Sequence, residues 1–169
     1  MTDTIFTTIR GSRLYGLSHD ASDTDIYEVT TSLRARARQT FDTETRIDKV
    51  SVGFDTFLIR VHEGSHQALE ALFSPYKVWN PEYEYLRPLI ESYRVCGPSV
   101  FAKYERTIKT LCYGDKKRRQ HAVRLWFNLL DLRKCGRFDP GMSLNQIAQL
   151  EYLARHYEGV ELARVLGVS

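Results

Sequence analysis

Asp23 and Asp25 stand two residues apart in Ser22-Asp23-Thr24-Asp25-Ile26-Tyr27, and a third acid, Asp48, lies in Arg46-Ile47-Asp48-Lys49-Val50. In an extended strand residues two apart share a face, so Asp23 and Asp25 are expected to present their oxygens side by side. Two carboxylates held that close repel each other unless a cation lies between them. Hard oxygen ligands suit Mg²⁺, with Mn²⁺ as a substitute, and Mg²⁺ so held is usually shared with a nucleotide's phosphates. Upstream, Gly11-Ser12-Arg13-Leu14-Tyr15-Gly16-Leu17 offers a phosphate-sized turn whose backbone N–H groups, with the Ser12 hydroxyl, are candidates to face phosphate oxygens. The alternative for Ser12 is a plain helix N-cap.

Asp48 falls in register with Val50, Val52 and Phe54, and a carboxylate at the start of an apolar face is costly unless paired or metal-bound. Asp55 competes for the role of third acid. It immediately precedes the apolar stretch 56–61, however, and is expected as the N-cap of that helix.

The order Gly-Ser-x-x-Tyr-Gly…Ser-Asp-x-Asp, complete over residues 11–25, resembles the nucleotidyltransferase superfamily that includes DNA polymerase beta, and within it the small nucleotidyltransferases of bacteria and phages. Leu69-Glu70-Ala71-Leu72-Phe73-Ser74-Pro75 extends the resemblance, and so does a Lys…His-x-x-Arg-Leu helix carrying Lys117, His121 and Arg124. The resemblance spans residues 5–136. It implies transfer of a nucleoside monophosphate from a nucleoside triphosphate, ATP included, to an acceptor hydroxyl with release of pyrophosphate. In that scheme Asp23 and Asp25 bridge two Mg²⁺ ions, and Asp48 completes one metal site and accepts the acceptor's proton. Gly11, Ser12 and Arg13, with Lys117, His121 and Arg124, hold the triphosphate. The acceptor stays open among a small molecule, a protein side chain and an RNA end. The alternative for Lys117, His121 and Arg124 is a salt-bridged helix surface with a partly buried histidine.

These residues need elements to place them. Residues 5–10 read as a first strand ended by Gly11, residues 13–17 as a helical turn, 25–31 as a second strand and 46–54 as another. Residues 57–61 and 67–73 read as two helical pieces broken at Glu63-Gly64-Ser65. That break bears on a competing motif, because His62-Glu63-Gly64-Ser65-His66 matches the zinc-hydrolase pattern His-Glu-x-x-His. The zinc chemistry needs both imidazoles one turn apart on an intact helix, and Gly-Ser inside the motif works against that helix. Tyr76, Trp79, Tyr83 and Tyr85 either stack a nucleobase or pack a connector onto the core. From residue 99 the chain reads as helical, with Leu125, Trp126, Leu129 and Leu130 as a core stripe. The expected fold is α/β: a small mixed sheet flanked by helices over residues 1–75, the catalytic core, with a helical region over 76–169 packed on it.

At 169 residues the chain is long enough to bury a core, and 43% apolar with 27% charged residues is ordinary for a globular protein. No run reaches the roughly 18 apolar residues of a membrane span, and the start lacks a signal peptide's basic residues, so a cytoplasmic protein without membrane partners is expected. Cys96, Cys112 and Cys135 form no Cys-x-x-Cys pair and are expected as reduced, mostly buried thiols. Residues 1–75 carry 8 Lys and Arg against 11 Asp and Glu, whereas residues 101–137 carry 11 against 3. An acidic half followed by a basic half suits phosphate chemistry, although Lys116-Lys117-Arg118-Arg119 is equally readable as a solvated helix start. Arg34, Arg36 and Arg38 share one side of an extended piece, as an exposed edge or as contacts to a polyanion such as RNA. A catalytically silent domain that binds nucleotide or a partner through the same pocket is the remaining alternative.

Overall fold

The computed structural model describes residues 2–18, 22–33 and 36–168. The chain forms two compact units, Met1–Tyr93 and Arg94–Ser169.

The first unit is built on a five-stranded mixed sheet of β1 (Thr4–Arg10), β2 (Thr24–Thr30), β3 (Arg38–Asp42), β4 (Ile47–Gly53) and β5 (Val78–Trp79), in the order β3-β4-β2-β1-β5. β2 and β4 run parallel, and every other pairing is antiparallel. Period-two burial places Phe6 of β1, Tyr27 and Val29 of β2, and Val50 and Val52 of β4 on one face, all buried. Helices α1 (Gly11–Tyr15), α2 (Phe54–His62) and α3 (His66–Phe73) pack on the strands, and Phe57 of α2 meets Phe6 edge-on with ring centroids 5.6 Å apart. This is the α/β architecture that the alternating strand and helix patterns indicate.

β5 is the element that the sequence pattern hides. Only two residues long, it pairs with β1, and Trp79 packs 4.9 Å from Phe6. A 3-10 helix (Pro81–Leu86) and α4 (Arg87–Ser92) follow, so residues 76–93 fold with the sheet. Trp79 therefore packs the core; Tyr76 and Tyr85 are exposed.

The second unit comprises α5 (Pro98–Cys112), α6 (Lys116–Cys135), α7 (Leu144–His156) and α8 (Gly159–Val165). Asp115 caps α6 by accepting from the Arg118 N–H at 2.8 Å, and Ser143 with Gln146 forms a capping box on α7. Leu125 and Leu129 are fully buried as expected. Leu130 is exposed, and Leu132 is buried in the stripe instead, one helical turn below Leu129. Among the cysteines only Cys112 is buried, its thiol pushed up to about 11 by desolvation; Cys96 and Cys135 are exposed, which corrects the expectation of mostly buried thiols. Both exposed cysteines lie where buried helix surface gives way to link, Cys96 just before α5 and Cys135 at the end of α6. Among the described residues, no helix is long and apolar enough to cross a membrane.

Candidate active site

Strand register assembles the site. Arg10 of β1 lies opposite Asp25 of β2, and Asp25 lies beside Asp48 of β4, so the three residues form one row across three strands. The row sits at the end of the face whose next residues are Tyr27 and Val50, so the two carboxylates stand on the border of the apolar core. Cross-strand neighbours on one face have Cβ atoms roughly 4.5–5.5 Å apart, close enough for two like charges to demand compensation. Arg10 supplies it. Its guanidinium lies 3.1 Å from Asp48 Oδ2 and 3.7 Å from Asp25 Oδ1, and the residue is only 8% exposed. Gln39 of β3 donates to both oxygens of Asp48, at 3.0 and 2.9 Å.

Gly11 completes the corner. Here β1 ends and α1 begins, with the backbone in the left-handed region at φ +68° and the Asp25 carboxylate directly over the α-carbon. Arg10, in extended conformation, occupies the N-cap position of α1. Ser12 therefore lies inside the first turn and is not the helix cap, leaving its hydroxyl out of the capping role. Arg13 donates to the Ser22 carbonyl at 3.1 Å and ties α1 to the approach of β2. Tyr15, buried at the end of α1, donates its hydroxyl to the Glu70 carboxylate of α3. Glu70 belongs to the Leu-Glu-x-Leu-Phe-Ser-Pro run, and Ser74 of the same run accepts from Thr8 of β1 at 2.6 Å. Those residues brace the turn.

Asp23 takes a different environment from Asp25. β2 begins only at Thr24, and the Asp23 carboxylate is held by Nε and a terminal nitrogen of Arg46, each at 2.8 Å, with both side chains about half exposed. Exposed ion pairs of this kind contribute about 0–1 kcal/mol, so the contact is readily exchanged. Among the described residues, no three acidic, histidine or cysteine side chains cluster so as to hold a metal. Asp25 and Asp48 by themselves fit a hard divalent cation, as two carboxylates on neighbouring parallel strands with an open approach. Their side chains are 28% and 20% exposed.

The other singled-out residues fall as follows. Asp55 lies in the first turn of α2, whose N-cap is Gly53, so the cap expected of Asp55 sits two residues earlier. His62 ends α2 and His66 begins α3, so the intact helix that the zinc motif requires is broken at the intervening glycine, and that reading fails. Lys117, His121 and Arg124 lie on α6 of the second unit: Lys117 is exposed, Arg124 buried, and their neighbour His121 half-buried with its Nε2 3.1 Å from an Arg124 nitrogen. Arg34 lies outside the described residues; Arg36 and Arg38 are exposed. Sequence reasoning missed Arg10 and Gln39. Arg10 did leave a signal, as a cation ending an apolar strand immediately before the Gly-Ser turn.

No family model matches the chain, and no curated protein matches it. Among solved structures, the chain is similar over 98% of its length to a nucleotidyltransferase-like protein from Exiguobacterium sibiricum 255-15, at 12% identity and a TM-score of 0.41, and it spans 65% of that protein's length.

Proposed function

We propose that the chain is a nucleotidyltransferase, moving a nucleoside monophosphate from a nucleoside triphosphate to an acceptor hydroxyl. The observation that carries this is the juxtaposition of Asp25 and Asp48 on the parallel β2–β4 pair against the Gly11 turn. The complete Gly-Ser…Asp-x-Asp order over residues 11–25 supports it.

In the reaction the acceptor oxygen bonds to the α-phosphorus, the bond to the pyrophosphate oxygen breaks, and the acceptor's proton leaves to a base. Asp48 is that base in this reading, supported by the contacts that orient its carboxylate, Gln39 on one side and Arg10 on the other. Asp25 and Asp48 would hold Mg²⁺, joined by Asp23 once Arg46 lets go; a cation held there would supply a lowered pKa at the acceptor hydroxyl and would offset charge on the departing pyrophosphate. Gly11 and Ser12 offer backbone N–H groups to the phosphates, with Arg13 beside them. The catalytic core in this scheme is residues 1–75. Lys117, His121 and Arg124 are the further triphosphate ligands that the family resemblance implies.

Arg10 favours one second reading. A guanidinium that already neutralises Asp25 and Asp48 is what a catalytically silent nucleotide-binding domain would keep. One experiment separates the two. The purified protein is titrated with each nucleoside triphosphate, with and without Mg²⁺, beside an Asp25→Asn/Asp48→Asn variant, while pyrophosphate release is followed. Metal-dependent binding and pyrophosphate release, both lost in the variant, are expected of the transferase. Binding without release under any acceptor tried supports the silent domain, and no triphosphate binding at all overturns both.

A further inference from the structure

The face of the sheet opposite Asp25 and Asp48 holds a cavity of about 440 Å³, lined by β2, β3, β4 and the start of β1. Alternation puts Glu28 and Thr30 of β2, Lys49 and Ser51 of β4, and Arg38 and Thr40 of β3 on this side. The register sets Arg38 beside Ser51 and Ser51 beside Glu28. A sheet face built to pack against protein would carry aliphatic side chains here. This one carries hydroxyls, charges and, at Gly53, bare backbone.

The charges do not cancel. Glu28 accepts from Thr4 Oγ1 at 3.0 Å, from Lys49 Nζ at 2.9 Å and from Ser51 Oγ at 2.6 Å. Its carboxylate is saturated with donors and Lys49 balances its charge. Arg36 and Arg38, at the rim, are exposed and make no hydrogen bond or ion pair among the described residues. The cavity is therefore left with two uncommitted guanidinium groups above a hydroxyl-lined floor. A guanidinium fork matches a phosphate's oxygens bidentately, and serine and threonine hydroxyls match a sugar's.

We infer that this cavity binds a small phosphate monoester, of sugar-phosphate or mononucleotide size, with its phosphate on Arg36 and Arg38. The volume lies within the range of small-ligand sites. A nucleic-acid strand would want a longer basic track, and β3 instead ends at Asp42, with Glu44 in the turn that follows. Because the cavity and the acid pair lie on opposite faces of the sheet, this is a second site, independent of the proposed transferase chemistry.

The test is titration with ribose 5-phosphate and with inorganic phosphate, without divalent cation, read by calorimetry and by amide shifts at Ser51 and Gly53. Arg36→Ala/Arg38→Ala, Arg36→Lys/Arg38→Lys and Asp25→Asn/Asp48→Asn variants run in parallel. Both arginines are exposed and without partners, so the alanine variant should keep the parent's thermal midpoint. Expected are saturable ribose 5-phosphate binding, a loss of about tenfold or more in the alanine variant, a smaller loss in the lysine variant, and none in the asparagine variant. Inorganic phosphate binding at the same amides, more weakly, is expected of the same phosphate contacts. Absence of ribose 5-phosphate binding overturns the inference. So does binding that survives in the alanine variant, binding that disappears with the aspartates, or binding confined to a single-stranded oligonucleotide.

Discussion

A β-carbon placed on Gly11 would lie 2.0 Å from Oδ2 of Asp25. The glycine that turns the chain out of β1 is thus also the space into which the carboxylate fits. Gly11→Ala is expected to incur about 1–2 kcal/mol for the left-handed backbone and, in addition, to push Asp25 out of the row. Gly16 supplies the control, because it too has positive φ, +76°, but nothing lies within 4 Å of its added β-carbon. The two alanine variants should share the backbone cost in thermal midpoint, while only Gly11→Ala abolishes Mg²⁺-dependent triphosphate binding. Equal binding by both variants would remove the contact with Asp25 from the argument.

A divalent cation held by Asp25 and Asp48, as proposed, would have to compete with the Arg10 guanidinium that already contacts both. Removing the guanidinium as Arg10→Ala leaves Asp25 and Asp48 facing each other near the core edge, and in chelator the variant should lose roughly 1.5–3 kcal/mol of stability. Mg²⁺ should then restore part of the loss, giving a larger rise in thermal midpoint than in the parent protein. An identical Mg²⁺ response in both proteins would show that the guanidinium does not guard the site.

Glu28 makes stability depend on pH. Burial pushes its carboxyl up, but hydrogen bonds from Ser51, Lys49 and Thr4 outweigh that and hold it below its ordinary range. A carboxyl with a depressed folded-state pKa contributes stability above its unfolded value, about 4.3, and loses that contribution as pH falls through the folded value. Glu28→Gln is therefore expected to lower the thermal midpoint at pH 7 and to differ less from the parent below about pH 4. A difference that stays constant across that range would assign the effect to packing alone.

Much of this was legible along the chain. The strand 4–10 ending at a glycine, the strands carrying Asp25 and Asp48, and the helix broken at Gly64 all follow from local signals: period-two burial, a turn residue, a helix interrupted by Gly-Ser. Asp48 stands out in the sequence because a carboxylate on an apolar face needs a partner. The partners themselves were not legible. Arg10 is 38 residues from Asp48, and the contact exists only because β1, β2 and β4 are neighbours in one register. Asp23 shows the same limit: its spacing from Asp25 is legible in the sequence, but its ion pair with Arg46, from the turn before β4, is not. Glu70 is legible only as part of the run 69–75, and its buried contact with Tyr15, 55 residues away, comes from the packing of α3 beside α1.

By itself the sequence determined which residue types stand at the corner, Gly11, Ser12, Asp25 and Asp48, and that strands deliver them, since propensity, turn chemistry and alternation act over a few residues. The tertiary structure decided which charges meet. Strand order and register are set by burying Phe6, Tyr27, Val29 and Val52 together, a property of the whole sheet. That packing put a guanidinium between two acids, left Asp23 with Arg46, and opened a polar cavity on the sheet's other face.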